Sequence, residues 1–231
     1  MSGRRMEITK EALKLFIQSL PVGCTFAILG FGSHSEFVSH QSPQVKQRKN
    51  ANDSSVIWTY NDDIMPQILS EISVFAANFG GTNILDPLKK ATELDIGKRK
   101  RRVFLLTDGE VENKDQVIAQ ARKNCEKTRV HAFGIGNGCD RELIKQTAIA
   151  GRGSFSFATD NSSNLSGQVI QALKKATQPS LMDCKFSWSD KKIELGEVFR
   201  NQLVQSYQIL TKAEFDALKV RFTSSKDPIT N

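Results

Sequence analysis

Residues 103–150, VFLLTDGEVENKDQVIAQARKNCEKTRVHAFGIGNGCDRELIKQTAIA, alternate between apolar runs and amphipathic ones. The runs at 103–107 and 130–135 are short and apolar, which favours buried strands. Residues 115–127 and 141–150 carry apolar side chains at helical spacing. A helix between two strands returns the chain so that both strands run in one direction. This stretch therefore predicts an α/β fold with a doubly wound, mostly parallel sheet.

The flanking sequence extends this alternation in both directions. A strand at 154–158 and a helix at 165–176 are predicted to follow. Before residue 103 we expect helices at 6–20, 64–76 (capped by Asp62 or Asp63) and 84–94, a buried strand at 24–31, and short strands near Phe37 and at 56–59. Residues 40–56 are polar and aperiodic, which predicts a surface insertion.

The pattern changes after residue 177, where Cys184, Phe186 and Trp188 alternate with polar residues. This alternation, and a similar one at 203–210, predicts antiparallel β structure. We therefore predict two regions, an α/β domain at 1–177 and the start of a β-rich region at 178–231. With about 50 residues, the second region has too little material to bury a core alone.

The composition is that of a globular chain, with 39% hydrophobic and 25% charged residues. No apolar run approaches the roughly 20 residues of a membrane-spanning helix, and residues 1–10 lack the apolar core of a secretory signal. We expect an intracellular, cytoplasmic protein without a membrane partner. Four scattered cysteines without a Cys-x-x-Cys pair argue against a zinc site and favour reduced thiols.

Much of the formal charge of +7 lies in one run, Lys98, Arg99, Lys100, Arg101 and Arg102. Such a run can serve nuclear import or anion binding, but a solvated loop before a buried strand accounts for it equally well. It lacks interleaved aromatic residues, which argues against a nucleic-acid partner. Trp58 and Trp188 are predicted to be packing residues.

Two polar loops are predicted to lie at the end of the sheet where this fold binds ligands. Gly80-Gly81-Thr82-Asn83 leads into a helix, and Thr107-Asp108-Gly109-Glu110 directly follows a strand. Doubly wound sheets bind ligands beyond the carboxyl ends of their strands, so we expect the two loops to be adjacent. The Thr82 hydroxyl and the Asp108 carboxylate are hard oxygen donors, the type that Mg²⁺ prefers. Each motif alone fits a helix start or a turn as well.

Together and in this order, the loops resemble those of the von Willebrand factor A family, and more closely its branch found in inter-alpha-trypsin inhibitor heavy chains and vault-associated proteins. The resemblance covers about residues 1–177 and includes MSGRRM (1–6), FGS (31–33), GTNIL (81–85), LTDGEV (106–111) and FGIG (133–136). Residues 198–207 also resemble the β-rich region that follows this domain in that branch. The resemblance implies a non-catalytic module that binds a protein partner, whose identity and oligomeric state the sequence does not indicate.

The family binds a divalent cation through an Asp-x-Ser-x-Ser loop after its first strand, joined by a Thr and an Asp from two later loops. Thr82 and Asp108 match those later positions. The family's loop runs directly into Met-Ser-Gly, which begins this chain, and Ser2 matches the residue after the motif. The resemblance therefore implies a truncated domain that lacks the first strand, with unmade ladder bonds at 24–31 and 103–107. We expect a remnant metal site with no tightly bound cofactor, which binds Mg²⁺ only if the missing loop is supplied.

A nucleotide-binding α/β enzyme is the alternative interpretation. Gly134, Gly136 and Gly138 follow a predicted strand and precede a helix, as a phosphate-binding loop does. However, Cys139 stands where G-x-G-x-x-G requires its third glycine, and a tight turn explains the glycines equally well. His34, His40 and His131 have no spacing that indicates a catalytic triad or a Cys-His pair.

Overall fold

The computed structural model describes ten segments of the chain, residues 3–38, 56–76, 78–97, 99–109, 111–159, 165–177, 180–188, 191–199, 209–217 and 220–226. The chain divides into two compact units, Met1–Ala176 and Thr177–Asn231. Of the surface insertion predicted at 40–56, all but Val56 lies outside the described residues. Within these segments, no helix is long and apolar enough to cross a membrane.

The first unit alternates strands and helices along most of its length. In chain order its elements are α1 (Arg4–Gln18), β1 (Thr25–Phe26), β2 (Leu29–Phe31), β3 (Ser35–Phe37), β4 (Trp58–Thr59), α2 (Met65–Ser73), α3 (Leu85–Glu93), β5 (Arg101–Thr107), α4 (Lys114–Lys123), β6 (Thr128–Ile135), α5 (Arg141–Ala150), β7 (Arg152–Ala158) and α6 (Leu165–Thr177).

A parallel sheet in the order β5–β6–β7 forms the centre of this unit. Its register places Val103 beside Val130, and Ala132 beside Phe155. Helices α4 and α5 connect the strands in sequence, so the predicted α/β fold with a parallel sheet is confirmed. All eight residues of the central strand β6 are buried. Each buried valine or isoleucine there contributes about 1.5 to 3 kcal/mol relative to an exposed position.

Helices cover both faces of this sheet, because successive side chains of a strand point to opposite sides. On one face, Phe104 and Leu106 pack in a cluster with residues of α1 and α6, namely Ile8, Ala12, Phe16, Val169 and Leu173. On the other face, Val103 and Leu105 pack with residues of α3, α4 and α5, namely Leu88, Val117, Ala121 and Leu143.

Residues 24–31 do not form the single buried strand that the sequence predicts. β1 pairs antiparallel with β4, and β2 pairs antiparallel with β3, and the residues of β1 and β2 are only half-buried. The Gly32 N–H donates to the carbonyl of His34 at 2.8 Å, so the chain turns back directly after β2. That local turn creates an antiparallel hairpin where the apolar run predicts a longer strand.

The predicted cap of α2 was wrong. Neither Asp62 nor Asp63 accepts the first helical N–H groups, and the side-chain oxygen of Asn61 accepts instead from the Ile64 N–H at 2.9 Å. The helix ends at Ser73, before Phe75, and so is shorter than the predicted stretch to residue 76.

The basic run before β5 is only partly a loop. Arg101 is a half-buried residue of β5, and its guanidinium donates to the carbonyls of Thr92 and Leu94 at the end of α3. Arg99 donates to the Thr25 hydroxyl at 2.8 Å, and Lys98 lies outside the described residues. At least two of these cations therefore contact other parts of the unit, which the solvated-loop interpretation did not predict.

The second unit contains an antiparallel sheet in the order β10–β8–β9. Its elements are β8 (Ser180–Trp188), β9 (Lys191–Phe199), α7 (Lys212–Asp216) and β10 (Val220–Lys226). A capping box between Thr211 and Glu214 starts the short helix α7. Residues 203–208 of the strand predicted at 203–210 lie outside the described residues, and Ile209 and Leu210 belong to no strand.

Candidate functional site

The loop that carries Thr82 is held against the turn between β2 and β3. The Gly81 N–H donates to the Ser33 hydroxyl, and the Asn83 N–H donates to the Gly32 carbonyl, both at 2.8 Å. Asn83 also exchanges hydrogen bonds with Asp86 in the first turn of α3. These bonds fix the backbone on both sides of Thr82.

The loop after β5 lies directly beside Thr82. A Cβ atom added at Gly109 would lie 2.9 Å from both Oγ1 and Cγ2 of Thr82. Real Cβ atoms do not approach other atoms so closely, which explains why glycine occupies this position. The predicted adjacency of the two loops is therefore confirmed, and it places Asp108 next to the Thr82 loop at the carboxyl end of β5.

Arg5 contacts the Asp108 carboxylate, which the sequence did not predict. Its Nη1 lies 3.6 Å from Asp108 Oδ2, and the Asp108 side chain is only 12% exposed. Arg5 belongs to the first turn of α1, about one hundred positions away along the chain. No local spacing connects the two residues, so only the three-dimensional packing reveals this ion pair.

The two predicted donors fit a hard divalent cation in chemistry but not in number. Calcium takes six to eight oxygen ligands, and magnesium takes six, several of them from water. Among the described residues, no group of three or more His, Cys, Asp or Glu side chains could hold a metal ion. Ser2 and Glu110 lie outside those residues. Thr82 and Asp108 alone are therefore too few ligands to hold such a cation.

The loop at 134–138 has packing reasons for its glycines. A Cβ at Gly134 would lie 2.8 Å from the ring of Phe157 and 2.9 Å from Cys139 Sγ. Gly136 has φ 84°, a left-handed conformation that favours glycine. These constraints account for the two glycines without a bound phosphate.

A carboxylate already occupies the start of the helix that follows this loop. Asp140 caps α5 by accepting the Leu143 N–H at 3.0 Å, and Lys114 lies 2.6 Å from the same carboxylate. Burial raises the pKa of Asp140, but Lys114 and the helix N–H groups outweigh it and hold the pKa below its ordinary value. An anionic cap repels phosphate from the position where a nucleotide loop would bind it.

His131 is a buried side chain of β6, as the sequence predicts. Its Nδ1 accepts the Ser154 N–H at 3.0 Å, and its ring stacks on Phe104 with centroids 5.2 Å apart. Burial first, and then the charges of Arg129 and Arg102, lower its pKa to about 3. The ring is neutral and only 4% exposed, so it does not reach a substrate from solvent.

An open cleft adjoins the Thr82 loop. It holds about 400 Å³ and is lined by residues of the β2–β3 turn and of α3, among them Ser33, His34, Asn83, Asp86 and Lys90. His34 contacts the ring of Phe79 edge-on at 4.5 Å. His40 lies outside the described residues.

Parallel strands, helices on both faces and two polar loops at one sheet end define a doubly wound α/β domain. The family model for the von Willebrand factor type A domain matches residues 1–157. The chain therefore belongs to this family.

Curated relatives support the assignment. Human von Willebrand factor A domain-containing protein 5A is 33% identical over 216 residues, which is 90% of this chain and 25% of that protein. A von Willebrand factor A domain-containing protein of Dictyostelium discoideum is 34% identical over 199 residues, or 85% of this chain and 22% of that protein. The chain thus spans about a quarter of the length of these relatives.

Solved structures share the fold at low sequence identity. A von Willebrand factor type A protein from Catenulispora acidiphila matches with a TM-score of 0.62 and 17% identity, over 81% of this chain and 42% of that one. Proximal thread matrix protein 1 of the mussel byssus, in a structure with a zinc-occupied MIDAS motif, matches with a TM-score of 0.51 and 16% identity, over 72% of this chain and 40% of that one.

Proposed function

We propose that this chain is a non-catalytic protein-interaction module that binds its partner at the sheet end carrying Thr82 and Asp108. These two residues are the remnant of a divalent-cation site. The carrying observation is the contact between Thr82 and Gly109, which brings a hydroxyl and a carboxylate loop together at the carboxyl end of β5.

The cleft beside Thr82 gives a partner a surface next to these donors. Its lining includes both acidic and basic side chains, such as Asp86 and Lys90. Lys90 donates to the carbonyl and hydroxyl of Ser35, so the cleft wall is held by hydrogen bonds. An open surface suits recognition of another protein more than enclosure of a small substrate.

The absence of catalysis is supported by what the candidate catalytic groups do. His131 is buried and neutral, packing explains Gly134, and a left-handed backbone conformation explains Gly136. The Asp140 carboxylate stands where a phosphate would bind. These contacts leave the nucleotide-binding enzyme without an observation in its favour.

We further propose that a strand and an Asp-x-Ser-x-Ser loop from outside the described residues complete the site, as in the inter-alpha-trypsin inhibitor heavy chain and vault-associated branch. Among the described residues, β5 pairs on one side with β6, and β2 pairs on one side with β3. Phe31 and Val103 nevertheless pack against the same apolar cluster. Each of these strands has one edge without a partner among the described residues, and their shared cluster supports an additional strand between them.

A comparison of bound proteins tests the proposed partner surface. The full-length protein, purified from its native cells with its partners, is compared with Thr82→Ala and Asp108→Ala, and Asp115→Ala serves as the matched control. Asp115 is an exposed acid in the first turn of α4. We expect the two site variants to lose the same partner protein, by quantitative mass spectrometry, while the control retains it. Equal retention in all three variants would contradict the proposal.

A further inference from the structure

We infer that the open edge of β7 and the adjoining side of α5 bind an extended, acidic segment of a partner protein as an added strand. This surface, the β7 edge surface, consists of Phe155 and Phe157 of β7 and of Arg141, Lys145 and Ile149 of α5. None of these residues lines the cleft beside Thr82. The β7 edge surface is therefore a second contact, separate from the partner site proposed above.

The backbone of β7 has one edge that is open to an added strand. Among the described residues, β7 pairs with β6 and with no other strand. The Gly136 N–H donates to the Ala158 carbonyl at 2.7 Å, so Ala158 directs its backbone groups towards β6. Because the backbone groups of successive strand residues point to alternate sides, those of Phe157 point to the open edge. Such a row of N–H and C=O groups is a template for another strand.

The regular part of β7 lacks the usual protection of a free edge. The register with β6 is irregular between Arg152 and Phe155, and residues 155–158 then pair without interruption. Those four residues include no charged residue and no proline, the residues with which natural proteins block strand addition. Phe155 is 38% exposed, and its ring centroid lies 5.8 Å from that of Phe157. An added strand would cover this exposed aromatic surface.

Helix α5 places positive charge along the same edge. The guanidinium of Arg141 lies over the ring of Phe157, with Cζ 3.9 Å from the ring centroid, which is a cation–π contact. Lys145 and Ile149 follow Arg141 at intervals of four residues, so the three side chains lie on one side of the helix. All three are exposed. The helix thus presents two cations and then an apolar side chain as it runs from the end of β7 back to its start.

The charge of this surface favours an acidic segment. Arg141 and Lys145 are exposed, whereas the neighbouring acids have partners of their own, namely Asp140 with Lys114, Glu126 with Arg152 and Glu142 with Gln146. An antiparallel strand, the more stable arrangement, would begin beside Phe157 and end beside Phe155. Acidic side chains in its first half then meet the two cations, and apolar side chains in its second half meet Phe155. Because strand addition satisfies backbone N–H and C=O groups, a polypeptide fits this edge better than a nucleic acid does.

A titration with designed peptides tests strand addition at this surface. The capped peptide Glu-Thr-Glu-Thr-Val-Thr-Val is added to the isotope-labelled 231-residue chain, and the amide NMR signals of Phe155 and Phe157 give the Kd. We expect a Kd below about 1 mM. N-methylation of the alternate peptide residues whose N–H groups face β7 should weaken binding at least about tenfold, because it removes those donors. A peptide with lysine in place of both glutamates should also bind more weakly.

Charge variants of the protein test the contribution of α5. Arg141→Gln should weaken binding of the glutamate peptide about two- to fivefold, the usual effect of an exposed ion pair. Arg4→Gln is the matched control and should leave the Kd unchanged, because Arg4 is an exposed residue of α1, which covers the opposite face of the sheet. Both variants are expected to fold, since removing a cation from the first turn of a helix relieves its repulsion from the helix dipole.

Several outcomes would overturn the inference. Unchanged signals of Phe155 and Phe157 with about 1 mM glutamate peptide would exclude strand addition, and so would equal binding of the N-methylated peptide. Equal affinity for the lysine peptide, or an equal loss in Arg141→Gln and Arg4→Gln, would exclude an acidic partner. Changes of the same signals on dilution without peptide would assign the edge to a second copy of the chain. Tighter binding of a single-stranded oligonucleotide would assign it to nucleic acid instead.

Discussion

Acid should destabilise the first unit through His131, because this histidine is buried in its neutral form. Its pKa is about 3 in the folded chain and 6.5 in the unfolded reference. The unfolded state therefore binds a proton at higher pH than the folded state does. The stabilising contribution is fully present above pH 6.5 and is lost as the pH falls from 6.5 towards 3.

The expected loss follows from the difference between the two pKa values of His131. Between pH 7 and pH 5 the free energy of unfolding should fall by about 2 kcal/mol, because the unfolded histidine takes up its proton while the folded one does not. Over the whole range from pH 7 to pH 3 the loss should reach about 4 kcal/mol. Burial makes the larger contribution, and Arg129 and Arg102 add repulsion.

Urea unfolding at several pH values measures this loss. In a Trp188→Phe background, the buried Trp58 reports on the first unit by fluorescence. The contribution of His131 to the loss is the difference in the pH dependence of the free energy of unfolding between this protein and its His131→Gln variant. The exposed His34 gives the control His34→Gln, which should keep the full pH dependence. If the free energy of unfolding depends on pH equally in the parent and in His131→Gln, His131 is not held neutral and the reasoning is refuted.

Three further predictions concern packing and the cation site. Gly109→Ala should lower the free energy of unfolding by about 1 kcal/mol because its Cβ meets Thr82, whereas Gly138→Ala should leave it within about 0.5 kcal/mol; urea unfolding that ranks them equally would contradict the close contact. Ile135→Ala should cost about 2 to 5 kcal/mol in the same assay, since this β6 side chain is fully buried, and a loss below about 1 kcal/mol would contradict its central position. A chain extended upstream by a strand and an Asp-x-Ser-x-Ser loop should bind Mg²⁺ and melt at a higher temperature than the 231-residue chain, and Asp108→Ala should remove the metal-dependent part of that gain. Calorimetry with and without chelator measures both parts, and tight Mg²⁺ binding by the 231-residue chain would contradict the account.

The sheet and its connecting helices could be predicted because their signals are local. Residues 103–158 repeat apolar runs and amphipathic stretches of ordinary length, and the structure forms β5, α4, β6, α5 and β7 there. The adjacency of Thr82 and Asp108 was predicted from the rule that ligand loops of doubly wound sheets gather beyond the carboxyl ends of the strands. The Thr82 loop reaches that edge, although it follows α2 and not a strand of the parallel sheet.

The features that the sequence did not predict depend on contacts between distant residues. The run at 24–31 is apolar, but the hairpin turn after Gly32 decides its pairing. Asn61, rather than Asp62 or Asp63, bonds to the start of α2. The sequence could not distinguish them, because the three adjacent residues share the same capping chemistry. Arg5 and Asp108 meet only because α1 begins at the end of the sheet where β5 stops.

Arg101 links the position of Thr82 to that of Asp108 through the ends of α3 and β5. Helix α3 begins beside Thr82 and ends where Arg101 binds its last carbonyls, and Arg101 is itself the first residue of β5. β5 then runs to Asp108, where Gly109 touches Thr82. The helix and the strand thus contact each other at both ends, so a displacement of either polar loop also loads the bonds of Arg101 at the far end. A pull on a partner bound at this edge would accordingly be carried along α3 and β5 to the opposite side of the sheet.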